Sequence, residues 1–335
     1  LVKGEGELTL DVAERLMVER KVKKLPLVDK SGTLLGLITA KDITRQERLP
    51  FATRDAHGRL RVGAAIGATG DFLERATELV SAQVDVIVID IAHGHSVVMA
   101  NAIDAFRKQF PSIELVAGNV ATAAGVRFLA ERGVNAIKVG IGPGGGCTTR
   151  LTTSFGVPQL QALHECGVAA RPQNGGHHQV PLIADGGIKR HGAILEALLF
   201  GGDTVMLGSM FAGTEETPGD VVQKSVMLPD QQRSVKVPFK VLRGMASIQA
   251  IRDRLDVEDE EVVDLEAIGA EGTEVSVPAR GSVRPIIHDI LKHLCSSISY
   301  GGANSLAELR QMFRDDPMKY LVKLSASSKK ESYER

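Results

Sequence analysis

Between residues 62 and 207, short apolar runs alternate with stretches whose apolar positions recur every three or four residues. The runs at 62–66, 84–90, 114–117, 135–139, 182–184 and 204–207 read as strands, and 72–80, 96–108, 122–132, 158–166 and 192–200 as helices. Residues 84–90, Val-Asp-Val-Ile-Val-Ile-Asp, are apolar enough for a strand covered on both faces. Strand–helix alternation with strands of this kind predicts a parallel sheet. Polar residues follow the strands: Asp90, Asn119, Cys147, Asp185 and Ser209. That is the carboxyl-end rim on which a (β/α)8 barrel carries its chemistry. A doubly wound open sheet is the alternative with the same local pattern.

The first 43 residues read as helix, strand, turn and strand. Thr9 caps a predicted helix reaching Met17, with Leu10, Ala13 and Leu16 on one face. A strand at 25–28, a turn at 29–32 and a returning strand at 34–38 lead into Thr39-Ala40-Lys41-Asp42. Thr39 either caps a helix over 41–46 or helps to seat a nucleotide. Residues 46–60 are polar, contain Pro50 and Gly58, and read as a linker. A main domain over 61–315 and a polar tail over 316–335 complete the division.

Composition narrows the classes. The 335 residues carry a net charge of −1, which gives no bulk electrostatic drive toward nucleic acid or a membrane surface. No apolar run is long enough to span a bilayer, and no signal peptide is visible. Three cysteines, Cys147, Cys166 and Cys295, lack metal-ligand spacing and are odd in number, as in a reducing compartment. The expected location is cytoplasmic. The polar C-terminus is not a clear peroxisomal tripeptide, and a peroxisome-like organelle stays open. His93 and His95 form a His-x-His after a strand, without an evident third ligand, and read as solvated rim residues.

The strongest chemical signal is Gly140-Ile141-Gly142-Pro143-Gly144-Gly145-Gly146-Cys147-Thr148-Thr149-Arg150. An apolar strand breaks into a glycine loop that ends on a thiol beside Arg150. Glycines allow close backbone approach, and a thiol among backbone N–H groups and a cation is set up as a nucleophile. A free cysteine in a turn is the plain alternative.

This loop resembles the active-site loop of the inosine-5′-monophosphate dehydrogenase and guanosine-5′-monophosphate reductase family. Ala184-Asp185-Gly186-Gly187-Ile188, residues 206–216 (Met-Leu-Gly-Ser-Met-Phe-Ala-Gly-Thr-Glu-Glu) and Arg243-Gly244-Met245 resemble it too, in the family's order. The resemblance implies the barrel rather than the open sheet. It also implies that Cys147 adds to C2 of a purine, that Thr149 relays a proton, and that Glu271 binds the purine N1–H side. Asp185 would accept the ribose hydroxyls, Gly187, Gly208 and Ser209 would hold the 5′-phosphate, and Gly244 and Met245 would run along the base edge. Asp90, Asn119 and Gly140 would face the nicotinamide cofactor, NADPH or alternatively NAD. The carbonyls of Gly142, Gly144 and Cys147 would hold a monovalent cation such as K+. A purine mononucleotide substrate and a homotetramer follow from the same resemblance.

Residues 1–45 resemble the C-terminal part of a CBS module, which implies a regulatory nucleotide at Thr39-x-x-Asp42. The family inserts that module after its second βα unit. With six strands counted, the expectation is a C-terminal portion of a longer product, lacking the first two barrel units. Three departures stand out. Gly145 and Leu242 replace a usual serine and tyrosine, and the segment 168–179 is longer than usual and reads as a surface insertion.

The family's branches differ in how the purine adduct is resolved. The dehydrogenase uses a flap, here 246–275, that brings an Arg-Tyr pair to activate water. The tyrosines of this chain are Tyr300, Tyr320 and Tyr333, so the flap has none, and Arg252-Asp253-Arg254-Leu255 ends on leucine where a tyrosine is expected. Loss of a general base costs about 10²–10⁴-fold. The reductase branch is therefore favoured, with dehydrogenase as the alternative and a degenerate nucleotide-binding regulator as a second. Ile268, where many reductases have arginine, and the Glu215-Glu216 pair point the other way.

Overall fold

The computed structural model describes residues 2–6, 8–49, 51–56, 58–171, 180–227, 234–248, 250 and 272–322. Glu271, most of the predicted flap with Arg252, Leu255 and Ile268, most of the insertion and the tail beyond 322 lie outside the described residues. The chain divides into two compact units, Leu1–Val62 and Gly63–Arg335.

The first unit holds β1 (Gly4–Glu5), α1 (Leu10–Glu19), β2 (Lys24–Val28), β3 (Leu34–Thr39) and α2 (Ala40–Arg48). The strands form one sheet in the order β1-β2-β3. Its core is Ala13, Met17, Leu25, Ile38 and Ile43. The Thr9 hydroxyl accepts the Val12 N–H at the start of α1, as its position predicts. At the tight turn Asp29 accepts the N–H groups of Ser31 and Thr33 and the Ser31 hydroxyl, and these bonds lower its pKa. The segment read as linker is more ordered than expected. α2 runs on to Arg48, and Arg54 pairs with Leu60 across a turn in which Asp55 accepts the Arg59 N–H.

The second unit is built on a parallel sheet: β4 (Gly63–Ile66), β5 (Val86–Asp90), β6 (Glu114–Val120), β7 (Ala136–Val139), β8 (Leu182–Asp185) and β9 (Thr204–Met206). Its six strands are hydrogen-bonded in sequence order. A doubly wound sheet would reverse its order partway, so the order selects the barrel pattern. Helices α3 (Phe72–Ser81), α4 (Val97–Gln109), α5 (Ala123–Ala130), α7 (Gln159–Ala169) and α8 (His191–Leu199) fill the crossovers, and α6 (Thr149–Thr152) is one short turn inside the β7–α7 connection. Ser96 and Thr122 cap α4 and α5 through side-chain oxygens. The core runs from Ile66 to Met210 and includes Ile87, Ile89, Leu115, Ile137, Leu163 and Leu182.

Burial on both faces, expected of β5, belongs instead to β6 and β7. In β5 only Ile87 and Ile89 are buried, while Val86 and Val88 are half-covered. β5 lies next to the edge strand β4, whereas β6 and β7 have at least two strands on either side.

The sequence reading assigned no element to 217–243, and a second sheet occupies much of it. β10 (Val222–Met227), β11 (Ser234–Arg243) and β12 (Glu274–Pro278) form an antiparallel sheet. β10 is exposed throughout, so no apolar period marks it. Two helices follow, α9 (Val283–Tyr300) and α10 (Leu306–Asp315). The start of the predicted tail is structured: the Tyr320 hydroxyl donates to the Gly301 carbonyl, and its ring packs on Phe313. No described helix is long and apolar enough to cross a membrane.

Candidate active site

The predicted site residues at the carboxyl ends of β5 to β8 meet in one polar network. Lys138, in β7, is almost entirely buried. Its ammonium lies 3.1 Å from Asp90 Oδ1 at the end of β5 and 2.5 Å from Asp185 Oδ2 at the end of β8. The Asn119 amide in β6 donates to the Gly140 carbonyl (2.7 Å) and to Asp185 Oδ2 (3.0 Å). Asn119 Oδ1 is buried and has no partner among the described residues. Asp90, Asn119, Gly140 and Asp185, picked from the sequence as separate positions, are therefore joined.

The β7 and β8 exits touch directly. Gly140 has φ +149°, and a β-carbon there would stand 2.1 Å from the Asp185 carbonyl oxygen. Only glycine fits both the torsion and the space. Gln159, at the start of α7, donates from Nε2 to the Val139 carbonyl (2.9 Å) and to the Asp185 carbonyl (3.2 Å), tying the two exits together. Gly186 and Gly187, both at positive φ, pack against Pro143 and Gly144 of the cysteine loop.

The cysteine loop closes on segments far along the chain. The Cys147 thiol donates to Thr149 Oγ1 at 3.3 Å, and α6 begins at Thr149. Cys147 pairs with Gly272 in an antiparallel bridge, and the Thr273 N–H donates to the Gly146 carbonyl (2.8 Å). Gly244 donates to the Thr273 carbonyl (3.1 Å), and a β-carbon on Gly244 would stand 2.7 Å from the Gly146 carbonyl oxygen. The thiol loop, the Arg243-Gly244-Met245 segment and the strand entering β12 thus form one clasp. Met245 is exposed beside it. Of the three carbonyls expected at a cation, that of Gly144 already accepts the Cys147 N–H (3.2 Å).

Arg150 lies in the short turn that follows the thiol. Its aliphatic stem fills the space over Gly142 and Gly156, where added β-carbons would collide with it. Gly208 and Ser209 form the tight turn after β9, with the Gly208 carbonyl accepting the Phe211 and Ala212 N–H groups. His93 and His95 are exposed, and the described residues contain no cluster of metal-ligating side chains. Thr39 and Asp42 satisfy each other: the Asp42 carboxylate accepts the Thr39 N–H (2.9 Å) and hydroxyl (2.6 Å), the back-bonding half of a capping box.

Two residues of the network carried no expectation. Lys138 could have been noticed as the one charge in an apolar strand, since lysine is rarely buried unless paired. Gln159 has no such local signal.

A parallel (β/α) sheet with a cysteine loop, a carboxylate and paired glycines at its carboxyl rim is the arrangement of a barrel enzyme. The chain belongs to the IMP dehydrogenase / GMP reductase domain family, whose model matches residues 9–334. Members of this family are nicotinamide-dependent oxidoreductases with a (β/α)8 barrel. Inosine-5′-monophosphate dehydrogenase of Aquifex aeolicus is 42% identical over 311 residues, 93% of this chain and 60% of the relative. The Halalkalibacterium halodurans enzyme of the same name is 44% identical over 315 residues, 93% of this chain and 61% of the relative. Among solved structures, a GMP reductase variant from Trypanosoma brucei in complex with guanosine 5′-monophosphate superposes with a TM-score of 0.83 at 34% identity, covering 100% of this chain and 65% of that one. The chain thus spans about three-fifths of the length of the curated relatives named here.

Proposed function

We propose that the protein is a GMP reductase, converting GMP, NADPH and two protons to IMP, NADP+ and ammonium. One observation carries the branch: no tyrosine stands between Met245 and Glu271, where a dehydrogenase keeps its water-activating Arg-Tyr pair. The likeness to the Trypanosoma brucei GMP reductase supports the same reading.

In this reading the Cys147 sulfur bonds to C2 of the guanine, and the 2-amino group leaves as ammonia. Thr149, hydrogen-bonded to the thiol, passes the proton that the leaving amine needs. Asp185 accepts the ribose hydroxyls. Gly187, Gly208 and Ser209 hold the 5′-phosphate with backbone N–H groups and a hydroxyl. Gly244 and Met245 line the base edge, and Glu271 takes the N1–H.

The cofactor reading rests on the donor set. Asn119 Oδ1, buried without a partner, suits the N–H of a carboxamide, and Asp90 and Gly140 complete that side. When bound, the nicotinamide supplies hydride to C2 as the sulfur departs. A monovalent cation at the carbonyls of Gly142, Gly144 and Cys147 would steady the loop, a homotetramer is the expected assembly, and a regulatory nucleotide is assigned to the first unit.

The 42–44% identity to proteins named IMP dehydrogenase favours a second reading, oxidation of IMP to XMP with NAD. Absorbance at 340 nm separates the two. GMP should consume NADPH with stoichiometric ammonia release, and steady NADH formation from IMP and NAD at ordinary turnover reverses the assignment. Cys147→Ala should abolish turnover while leaving GMP binding within about threefold; retained turnover removes the covalent step.

A further inference from the structure

We propose that Lys138 is a positioning residue that links the nucleotide and cofactor sides of the site, by holding one oxygen of Asp185 and one of Asp90 with a single ammonium. The proposal rests on the reading of Asp185 as the ribose acceptor and Asp90 as a cofactor-side residue.

The geometry points to sharing. Lys138 has 4% of its side chain exposed, against 22% for Asp185 and 39% for Asp90. The cation is therefore the enclosed member, and the carboxylates are the members that reach the rim. Asp185 takes both of its donors, Lys138 and Asn119, on Oδ2, and among the described residues Oδ1 takes no hydrogen bond. Asp90 meets the same ammonium through Oδ1 as an ion pair, with no described donor on Oδ2. Each carboxylate thus spends one oxygen on the lysine and keeps the other for an incoming donor, which suits ribose hydroxyls at Asp185.

A buried ammonium between two carboxylates leaves the trio with one net negative charge. How strongly the lysine engages one carboxylate depends on what the other is doing, because a single ammonium pairs with both. Lys138 gives a change on the Asp90 side a direct electrostatic route to Asp185. Methionine keeps most of lysine's unbranched length but removes the charge. Arginine keeps the charge and offers a planar fork that can bridge two carboxylates.

Calorimetric titration of the protein with GMP and with its 2′,3′-dideoxy analogue tests this, with thermal melting as the folding control. Wild type should prefer GMP by about tenfold or more, the scale of hydrogen bonds to a charged acceptor. Lys138→Met should cut that preference to about twofold, and Lys138→Arg should keep most of it. Asp90→Asn should shift the GMP Kd by about threefold or more with lysine at 138, and by little in the Lys138→Met background. Loss of melting cooperativity without loss of ribose preference is what a purely structural lysine gives, and it overturns the proposal. So does an equal effect of Asp90→Asn in both backgrounds. If Lys138→Met does not fold, Asp90→Asn alone decides, since an unchanged GMP Kd overturns the link. Wild type that binds GMP and the dideoxy analogue equally overturns the ribose reading itself, and the link with it.

Discussion

Cys147, Cys166 and Cys295 are chemically alike in the sequence and are set apart by the fold. Cys166 is fully buried in α7, and burial pushes its thiol up to about 12, with Glu165 adding to the shift. Cys147 is half-buried in the clasp and Cys295 is exposed on α9. At pH 8 the Cys166 thiolate fraction is roughly a thousandfold below that of an ordinary thiol. Iodoacetamide at that pH should label Cys147 and Cys295 and spare Cys166 in the native protein, as read by peptide mass spectrometry. Comparable labelling of Cys166 would contradict the burial. Gly140 is equally sharp: Gly140→Ala puts a β-carbon against the Asp185 carbonyl and should cost GMP affinity about tenfold or more by separating the β7 and β8 exits.

Elements are tied at both ends of the sheet, for different purposes. At the amino end of β8, Asp203 accepts the Leu182 N–H (2.9 Å) and the Arg310 guanidinium (2.8 Å), stapling α10 to the barrel. Arg310→Ala should lower stability by about 1–2 kcal/mol in urea titration with GMP affinity unchanged, because this face lies away from the chemistry. α9 is anchored by Glu216, which accepts the Ser282 hydroxyl (2.7 Å) and the Val283 N–H (2.8 Å). Those bonds, the Ser282 hydroxyl first, lower the Glu216 pKa. A depressed carboxyl contributes stability above its unfolded pKa and loses it as pH falls through the folded value. Amide exchange at the start of α9 should therefore speed up below the ordinary carboxylate range, and Glu216→Gln should flatten that rise. Thr214-Glu215-Glu216, read from the sequence only as a motif of resemblance, acts here as a joint. Lys240 of β11 donates to the Thr214 and Thr217 carbonyls, and Glu216 holds α9.

Among the described residues each unit has its own core, one built around Leu25 and Ile38 and one around the parallel sheet. Leu25 is fully buried, so Leu25→Ala should cost the first unit about 2–5 kcal/mol. The expected result is a lowered first transition in calorimetry with the GMP Kd of the second unit within twofold of wild type. A matching loss of GMP affinity would show that the cores do not act independently.

What could be read directly was whatever repeats at short range. The alternation of apolar strands and amphipathic helices from β4 to β9, the cap at Thr9, and the glycine loop before Cys147 are local features, and each was visible in a window of a few residues. β10 and β11 were not, because an exposed antiparallel ribbon buries no stripe and leaves no period. Lys138 and Gln159 were not, because their partners lie 47 and 26 residues away and meet them only through strand register. Residue order alone determined the parallel sheet, the polar rim at its carboxyl end and the glycine loop before Cys147, since steric and hydrophobic preferences act on neighbours in the chain. Tertiary structure decided which charges share a buried ammonium, which thiol is sealed off and which distant segments clasp Cys147, since those depend on distances that only packing creates.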